Sequence, residues 1–131
     1  ERPAYTFTAL GLITSYAGTY QPQIAAPITF STDATRYIDP YNGTTIPYST
    51  IKINPTICSA CDINGIAEAN AFEGQEITIC NVHASNTATI ADSATADYEV
   101  DVVGTLVIGP GDMLTMHYVN GKWRQKSFVD L

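Results

Sequence analysis

The 131-residue sequence predicts an all-β fold: a single, jelly-roll-like β-sandwich with an extended N-terminal arm. Three observations carry that prediction. The chain holds 17 Thr, 14 Ile and 8 Tyr, residues that suit a pleated, half-buried surface. Its 7 Pro and 9 Gly are scattered, so they cut the chain into short pieces. No 15-residue window carries a 3.6-residue apolar period, and the best helical stretch, Ile66 to Phe72, amounts to two turns at most. Short strands between regular turn signals describe a sandwich or barrel. The length fits one domain and one core.

Residues 1–27 are rich in Thr, Ala, Tyr, Gly and Pro without firm alternation. They read either as an extended arm, adding one strand to the body or to a neighbour, or as a first strand (Tyr5 to Leu10) and a loop. The sandwich then occupies residues 28–131. Ile46 to Ile57 alternates from Thr50 onward through Ile51 and Ile53, with Pro47 and Pro55 marking strand ends or an edge. Glu76 to Cys80 alternates, as does Ala88 to Ile90, with the polar stretch Asn81 to Thr87 between them. Val100 to Ile108 is apolar but broken by Gly104. Gly109-Pro110-Gly111-Asp112 is a tight turn.

The last hairpin follows. Met113 to Val119 and Lys122 to Phe128 flank Asn120-Gly121, which supplies the positive φ angles of a two-residue type I′ turn. That turn sets a register in which Tyr118 faces Trp123, Met116 faces Gln125 and Leu114 faces Ser127. This is the apolar side. The other side pairs Val119 with Lys122, His117 with Arg124 and Thr115 with Lys126, and it carries half of the basic residues.

Charge narrows the function. With 6 Lys+Arg against 13 Asp+Glu the formal charge is −7. A nucleic-acid grip needs a basic face, and so does docking on anionic lipid, so neither partner is expected. No run approaches the roughly 18 apolar residues of a membrane-spanning helix. Nine acids and no Lys or Arg lie between Lys52 and Lys122. They read as solvated loops, or as an acidic face for a cation or a basic partner. The chain begins at Glu1, as expected of a processed form or one whose leader has been removed.

No phosphate loop, His-Glu-x-x-His, Gly-x-Ser-x-Gly or Ca²⁺-loop pattern occurs. His83 and His117 have no orienting carboxylate and pocket nearby in sequence. The expectation is a protein that is not an enzyme. Asn42-Gly43-Thr44 matches a glycosylation acceptor and reads as a turn. Cys58-x2-Cys61 followed by Cys80-x2-His83 has the spacing of a closed structural zinc site. Three readings stay open: zinc on Cys58, Cys61, Cys80 and His83; a Cys58–Cys61 disulfide with Cys80 free; and three plain thiols with no cofactor.

From Gly74 onward the signals have a recognisable order. Gly74-Gln75-Glu76-Ile77-Thr78-Ile79, Asn81-Val82 and Asn86-Thr87-Ala88-Thr89-Ile90 come first. Leu106, Gly109-Pro110-Gly111-Asp112, Leu114, Tyr118, Asn120-Gly121-Lys122 and Trp123 follow. This resembles a small β-sandwich module of tailed-bacteriophage structural proteins, found in tail fibres, head fibres and capsid decoration proteins. There the pattern runs G-x-x-I-T-I-x-N … N-T-x-T-I … G-P-G-D-x-L-x-x-x-Y-x-x-G-x-W. The match covers about the last 55 residues and, more loosely, Ile28 to Ile53. The resemblance implies trimeric assembly and a place on the virion surface, with the major capsid protein or other virion subunits as partners. The cysteines and His83 depart from the pattern.

The sequence reading is therefore a capsid decoration, or cement, protein that holds a shell through a homotrimer and arm contacts. No internal repeat or heptad is evident, and the short length favours cement over a fibre. Core positions are Ile77, Ile79, Ile90, Leu114, Tyr118 and Trp123. Assembly contacts fall on Tyr5, Phe7, Leu10 and Leu12. One alternative is a receptor- or glycan-binding fibre tip, with Tyr37, Tyr41 and Tyr48 stacking on sugars. Another is an extracellular filament subunit joined by strand exchange.

Overall fold

A computed structural model describes the backbone of residues 36–56 and 60–131 and of four short strands before them, with the side chains of 37–56 and 61–131. Every regular element among the described residues is a strand. Among the described residues, strands β1 (Tyr5–Phe7) and β2 (Ile13–Ser15) pair with each other as a two-stranded sheet. The remaining strands form two sheets. Sheet I holds β3 (Gln23–Ile24), β4 (Ile28–Phe30), β6 (Tyr48–Pro55), β8 (Glu76–Asn81), β10 (Val100–Asp101), β12 (Met113–Val119) and β13 (Lys122–Val129). Sheet II holds β5 (Arg36–Ile38), β7 (Ala60–Ile66), β9 (Thr87–Ile90) and β11 (Leu106–Ile108).

From β4 to β9 the chain alternates between the sheets, and each strand lies parallel to the one two places before it. The chain thus winds as a coil. Tyr37 lies beside Gly65 and Thr50 beside Thr78, 28 residues apart in both cases. After the coil, β11 runs antiparallel to β9, and β12 runs antiparallel to β8. The all-β, two-sheet sandwich is the predicted fold class. Its connectivity differs from a jelly roll, whose Greek keys are antiparallel. Period-2 alternation reports which face is buried and is silent on the direction of the neighbouring strand, so the parallel coil, whose paired residues lie 25 to 28 positions apart, escapes the sequence reading.

One apolar layer fills the space between the sheets. Ile51, Ile53, Ile77, Ile79, Leu114, Met116 and Trp123 come from sheet I, and Ile38, Cys61, Ile63, Ile66, Ala88, Ile90 and Ile108 from sheet II. Each fully buried Ile or Leu contributes on the order of 1.5–3 kcal/mol through removal from water. Of the six core positions named from the sequence, Ile77, Ile79, Ile90, Leu114 and Trp123 have no exposed surface. Tyr118 is half-buried against the cluster.

The closing hairpin turns on Asn120 (φ 53°) and Gly121 (φ 83°), the left-handed pair a type I′ turn requires. Its register follows prediction through Met116 opposite Gln125, then shifts by one residue. Leu114 faces Phe128 instead of Ser127, and Thr115 faces Ser127 instead of Lys126. The extra residue is Lys126. A bulge of this kind re-aims the side chains beyond it. Phe128 comes to pack against the core, and Lys126 forms an ion pair with Glu76.

One further expectation changes, and two features come into view. Ile66 to Phe72 is not helical; β7 ends at Ile66 and turns follow, with Ala71 N–H donating to Glu68 C=O at 2.9 Å. Strand β7 itself is hidden in sequence because its pairing with β5 shifts by one residue between Ile63 and Gly65. That shift lets Ile63 and Ile66, three residues apart, both be buried. Within residues 1–27, Gln23 and Ile24 in β3 pair with Tyr48 and Thr50, so this stretch adds a strand to sheet I, one of the placements the arm reading allows.

Urea unfolding checks the core assignment. Ile79→Ala, at a fully buried position, should cost about 2–5 kcal/mol. Val107→Ala, at a position 54% exposed, should stay within about 0.5 kcal/mol of the parent.

Candidate functional site: the outer face of sheet I

The register places outward-facing residues of four adjacent strands, β6, β8, β12 and β13, in straight rows. One row is Lys52, Cys80, Met113 and Val129. The next is Thr50, Thr78, Thr115 and Ser127, with Thr78 Oγ1 and Thr115 Oγ1 hydrogen-bonded at 3.1 Å. A third holds Glu76, His117 and Arg124. The first row is the unusual one. An outer sheet face is normally polar, yet here Met113, Val129 and the nearby Leu131 are exposed, Leu131 by 80%. Val82, one residue beyond β8, is 48% exposed. Together they make an apolar band at one end of the face.

Buried polar groups hold the chain ends that frame this band. Asn81 is buried, and its amide donates to Asn86 C=O and Ile108 C=O, both at 2.8 Å. Its Oδ1 accepts from His83 N–H at 2.9 Å. Asn86 in turn donates to Pro55 C=O at 2.8 Å, so one polar chain ties three turns of backbone together. Asp112 is buried as well. Its carboxylate accepts from Gly109 N–H and from Leu131 N–H, each at 2.8 Å. The first bond closes the Gly-Pro-Gly-Asp turn; the second fixes Leu131 beside it. In the sequence Asn81 opens a polar connecting stretch and Asp112 closes a turn, and neither pattern signals their burial.

Cys80 is a free, half-buried thiol in the apolar row. Burial pushes its pKa up, and the Lys52 ammonium pulls partly the other way. Cys61 is disulfide-bonded and buried in the inter-sheet core; Cys58 lies outside the described residues. His83 Nδ1 accepts N–H bonds from Ser85 at 3.1 Å and Asn86 at 2.8 Å. The zinc set is therefore not assembled: Cys61 faces the core and is oxidised, while Cys80 faces outward from the other sheet. Among the described residues no three His, Cys, Asp or Glu side chains are grouped to hold a metal.

Of the assembly residues named from the sequence, Tyr5 and Phe7 lie on β1, opposite Ser15 and Ile13; Leu10 and Leu12 lie outside the described residues. The three tyrosines considered for sugar stacking separate. Tyr41 is buried, and its hydroxyl donates to Asn70 C=O at 2.6 Å. Tyr48 packs partly against the core. Tyr37 alone is exposed. The turn at Asn42 (φ 48°) and Gly43 (φ 75°) is held by Asp39 Oδ2, which accepts Gly43 N–H at 2.8 Å.

The bases of β13 are occupied. Arg124 pairs with Asp101 at 2.7 Å, Lys122 with Glu99 at 4.0 Å, and Lys126 with Glu76. These partly exposed pairs each contribute about 0–1 kcal/mol; their larger effect is to leave the hairpin without a net basic face. Beside them, Trp123 Nε1 donates to Ala67 C=O at 3.0 Å, and its ring meets Tyr118 edge-on at 5.2 Å. Tyr118 donates its hydroxyl to Glu68 Oε1 at 3.2 Å, and Glu99 N–H donates to Glu68 Oε2 at 2.8 Å.

No protein-family model matches the chain, and no curated protein matches it. Among solved structures, the chain is similar to a fragment (132-251) of StcE from enterohemorrhagic E. coli. The likeness has 10% identity and a TM-score of 0.37, and it covers 74% of this chain and 93% of that one. At that level it carries no argument about function.

Two measurements check the site. Alkylation of Cys80 in the native protein should be slow at pH 7 and rise about tenfold per pH unit to beyond pH 9, because the thiolate is the reactive form. Lys52→Met should slow it further; peptide mass spectrometry reads the rate. Tyr118→Phe should lower stability at pH 7 by about 1 kcal/mol. Burial, followed by the Glu68 hydrogen bond and acidic neighbours, raises the Tyr118 pKa, so the native state favours the neutral phenol. That stabilisation is complete below the ordinary tyrosine pKa and is lost as pH rises through the folded value. The stability gap between parent and variant should therefore narrow above about pH 10 in denaturation curves.

Proposed function

We propose that this protein is a virion structural subunit, a capsid decoration protein that works by binding copies of itself and shell neighbours, with no chemistry of its own. The apolar band of Met113, Val129, Leu131 and Val82 is the observation that carries the reading. It lies on a face that alternation should have made polar, and the band's own side chains bring no acidic repulsion to a chain of net charge −7. Large apolar side chains gathered on one face mark a protein–protein contact more often than chance exposure. The bacteriophage-like order of Gly-Pro-Gly-Asp, Tyr118, Asn120-Gly121 and Trp123 supports the virion setting and a trimer. Cyclic association would bury the band, and contacts from residues 1–27 would add reach to the shell.

Sedimentation of the purified protein tests this. A discrete trimer is expected at micromolar concentration, with Met113→Lys/Val129→Lys shifting it to monomer and leaving the β circular-dichroism spectrum unchanged. A monomer at all concentrations, or a trimer indifferent to both charges, defeats the reading. Fibres in electron micrographs would favour a strand-exchange filament instead.

A further inference from the structure

The other sheet carries a different kind of surface. The outer side of sheet II holds an open groove of about 520 Å³, within the range of about 300–1,000 Å³ typical of small-ligand sites. Asp62, Asn64 and Thr89 come from β7 and β9. Residues 91–95 and Thr105 form its walls. Asp62 and Thr89 are cross-strand partners. Asp62 and Asn64 are two residues apart and both exposed, so their side chains project from one face about 7 Å apart.

These polar groups are mostly unengaged. Among the described residues no side chain or backbone group bonds the Asp62 carboxylate, the Thr89 hydroxyl or the Thr105 hydroxyl. Asn64 makes one long contact, Nδ2 to the Tyr37 hydroxyl at 3.4 Å. Asp92, by contrast, holds the wall, because its Oδ1 accepts Val102 N–H at 2.7 Å.

An aromatic platform adjoins the groove through that Asn64 contact. Tyr37 and Tyr98 pack against each other with ring centroids 4.2 Å apart and planes tilted by 39°. Tyr98 lies directly on Gly65, the residue after Asn64. A Cβ at Gly65 would come within 2.4 Å of Tyr98 O and 2.7 Å of Tyr98 Cβ. The glycine is thus required for the tyrosine to lie against the strand and form the platform.

We infer that this groove and its tyrosine platform bind a neutral carbohydrate. The chemistry fits that class. The Asp62 carboxylate can accept from sugar hydroxyls, and the Asn64 carboxamide can both donate to and accept from them. Threonine hydroxyls can both donate to and accept from the same sugar. The exposed tyrosine ring offers an apolar face to sugar C–H groups. Among the described residues no Lys or Arg lines the groove, and Asp62 and Asp92 repel anions, so sialylated and sulfated sugars are disfavoured. The site is on the opposite sheet from the apolar band and does not depend on the assembly reading.

A printed array of neutral and acidic glycans, probed with the intact protein, tests the inference. Retention of neutral hexose- or N-acetylhexosamine-terminated glycans is expected, with little on acidic ones. Asp62→Ala/Asn64→Ala should lower retention about tenfold or more, the loss of one to two good hydrogen bonds. Thr105→Trp, which fills the groove from an exposed position, should do the same. Both variants should keep the parent's thermal melt and sedimentation coefficient. Absence of retention on any neutral glycan, preference for acidic glycans, or undiminished retention by both folded variants overturns it.

Discussion

The fold depends on one constraint: the inward residues of successive coils must lie side by side in register. Ile51 lies beside Ile79, Cys61 beside Ala88, and Ile63 beside Ile90. Side chains alternate along a strand, so a slip of one residue would carry a whole row of isoleucines into water and replace it with Thr, Lys and Asp. Each such isoleucine is worth a few kcal/mol, against a total stability of about 5–15 kcal/mol. The penalty for a slip exceeds the stability itself, which selects a single register.

That register also creates both surfaces. The same pairing that stacks Ile51 on Ile79 stacks Thr50 on Thr78 and Lys52 on Cys80 outside. Continued through the antiparallel hairpin, it aligns Met113 and Val129 with Cys80. In sheet II it places Asp62 against Thr89. The two outer faces differ in chemistry because the outward residues differ, while the inward ones are held to one apolar type. An apolar band and a polar groove can therefore coexist on opposite faces without competing for the core.

Buried polar residues close the coil where the ladder ends. Asn81 replaces missing strand partners for Asn86 and Ile108 carbonyls, and Asp112 does so for the Gly109 and Leu131 amides. Leaving such groups unpaired would cost about 1–3 kcal/mol each. Trp123 is held in the same manner, its indole N–H bonded to Ala67 C=O while its ring is buried. The ion pairs of β13 contribute less to stability. They set the hairpin's surface charge close to neutral and leave the excess of acids elsewhere.

The sequence by itself determined the all-β class, the Asn120-Gly121 hairpin, the Gly-Pro-Gly-Asp turn and the inward set Ile77, Ile79, Ile90, Leu114 and Trp123. Those features are local: alternation and positive-φ residues are visible within a few positions. Tertiary structure alone decided the parallel coil, since the longest identical match in register is Thr50-Ile51 with Thr78-Ile79, and the other coils share single isoleucines such as Ile38 with Ile66 and Ile63 with Ile90, too little to reveal a repeat. It alone decided the bulge at Lys126, where the ladder between β12 and β13 shifts, and the separation of Cys61 from Cys80, whose sequence spacing matches a shared site. The groove was equally invisible, because Asp62, Asn64, Thr89 and Thr105 converge only when strands distant in sequence lie beside one another.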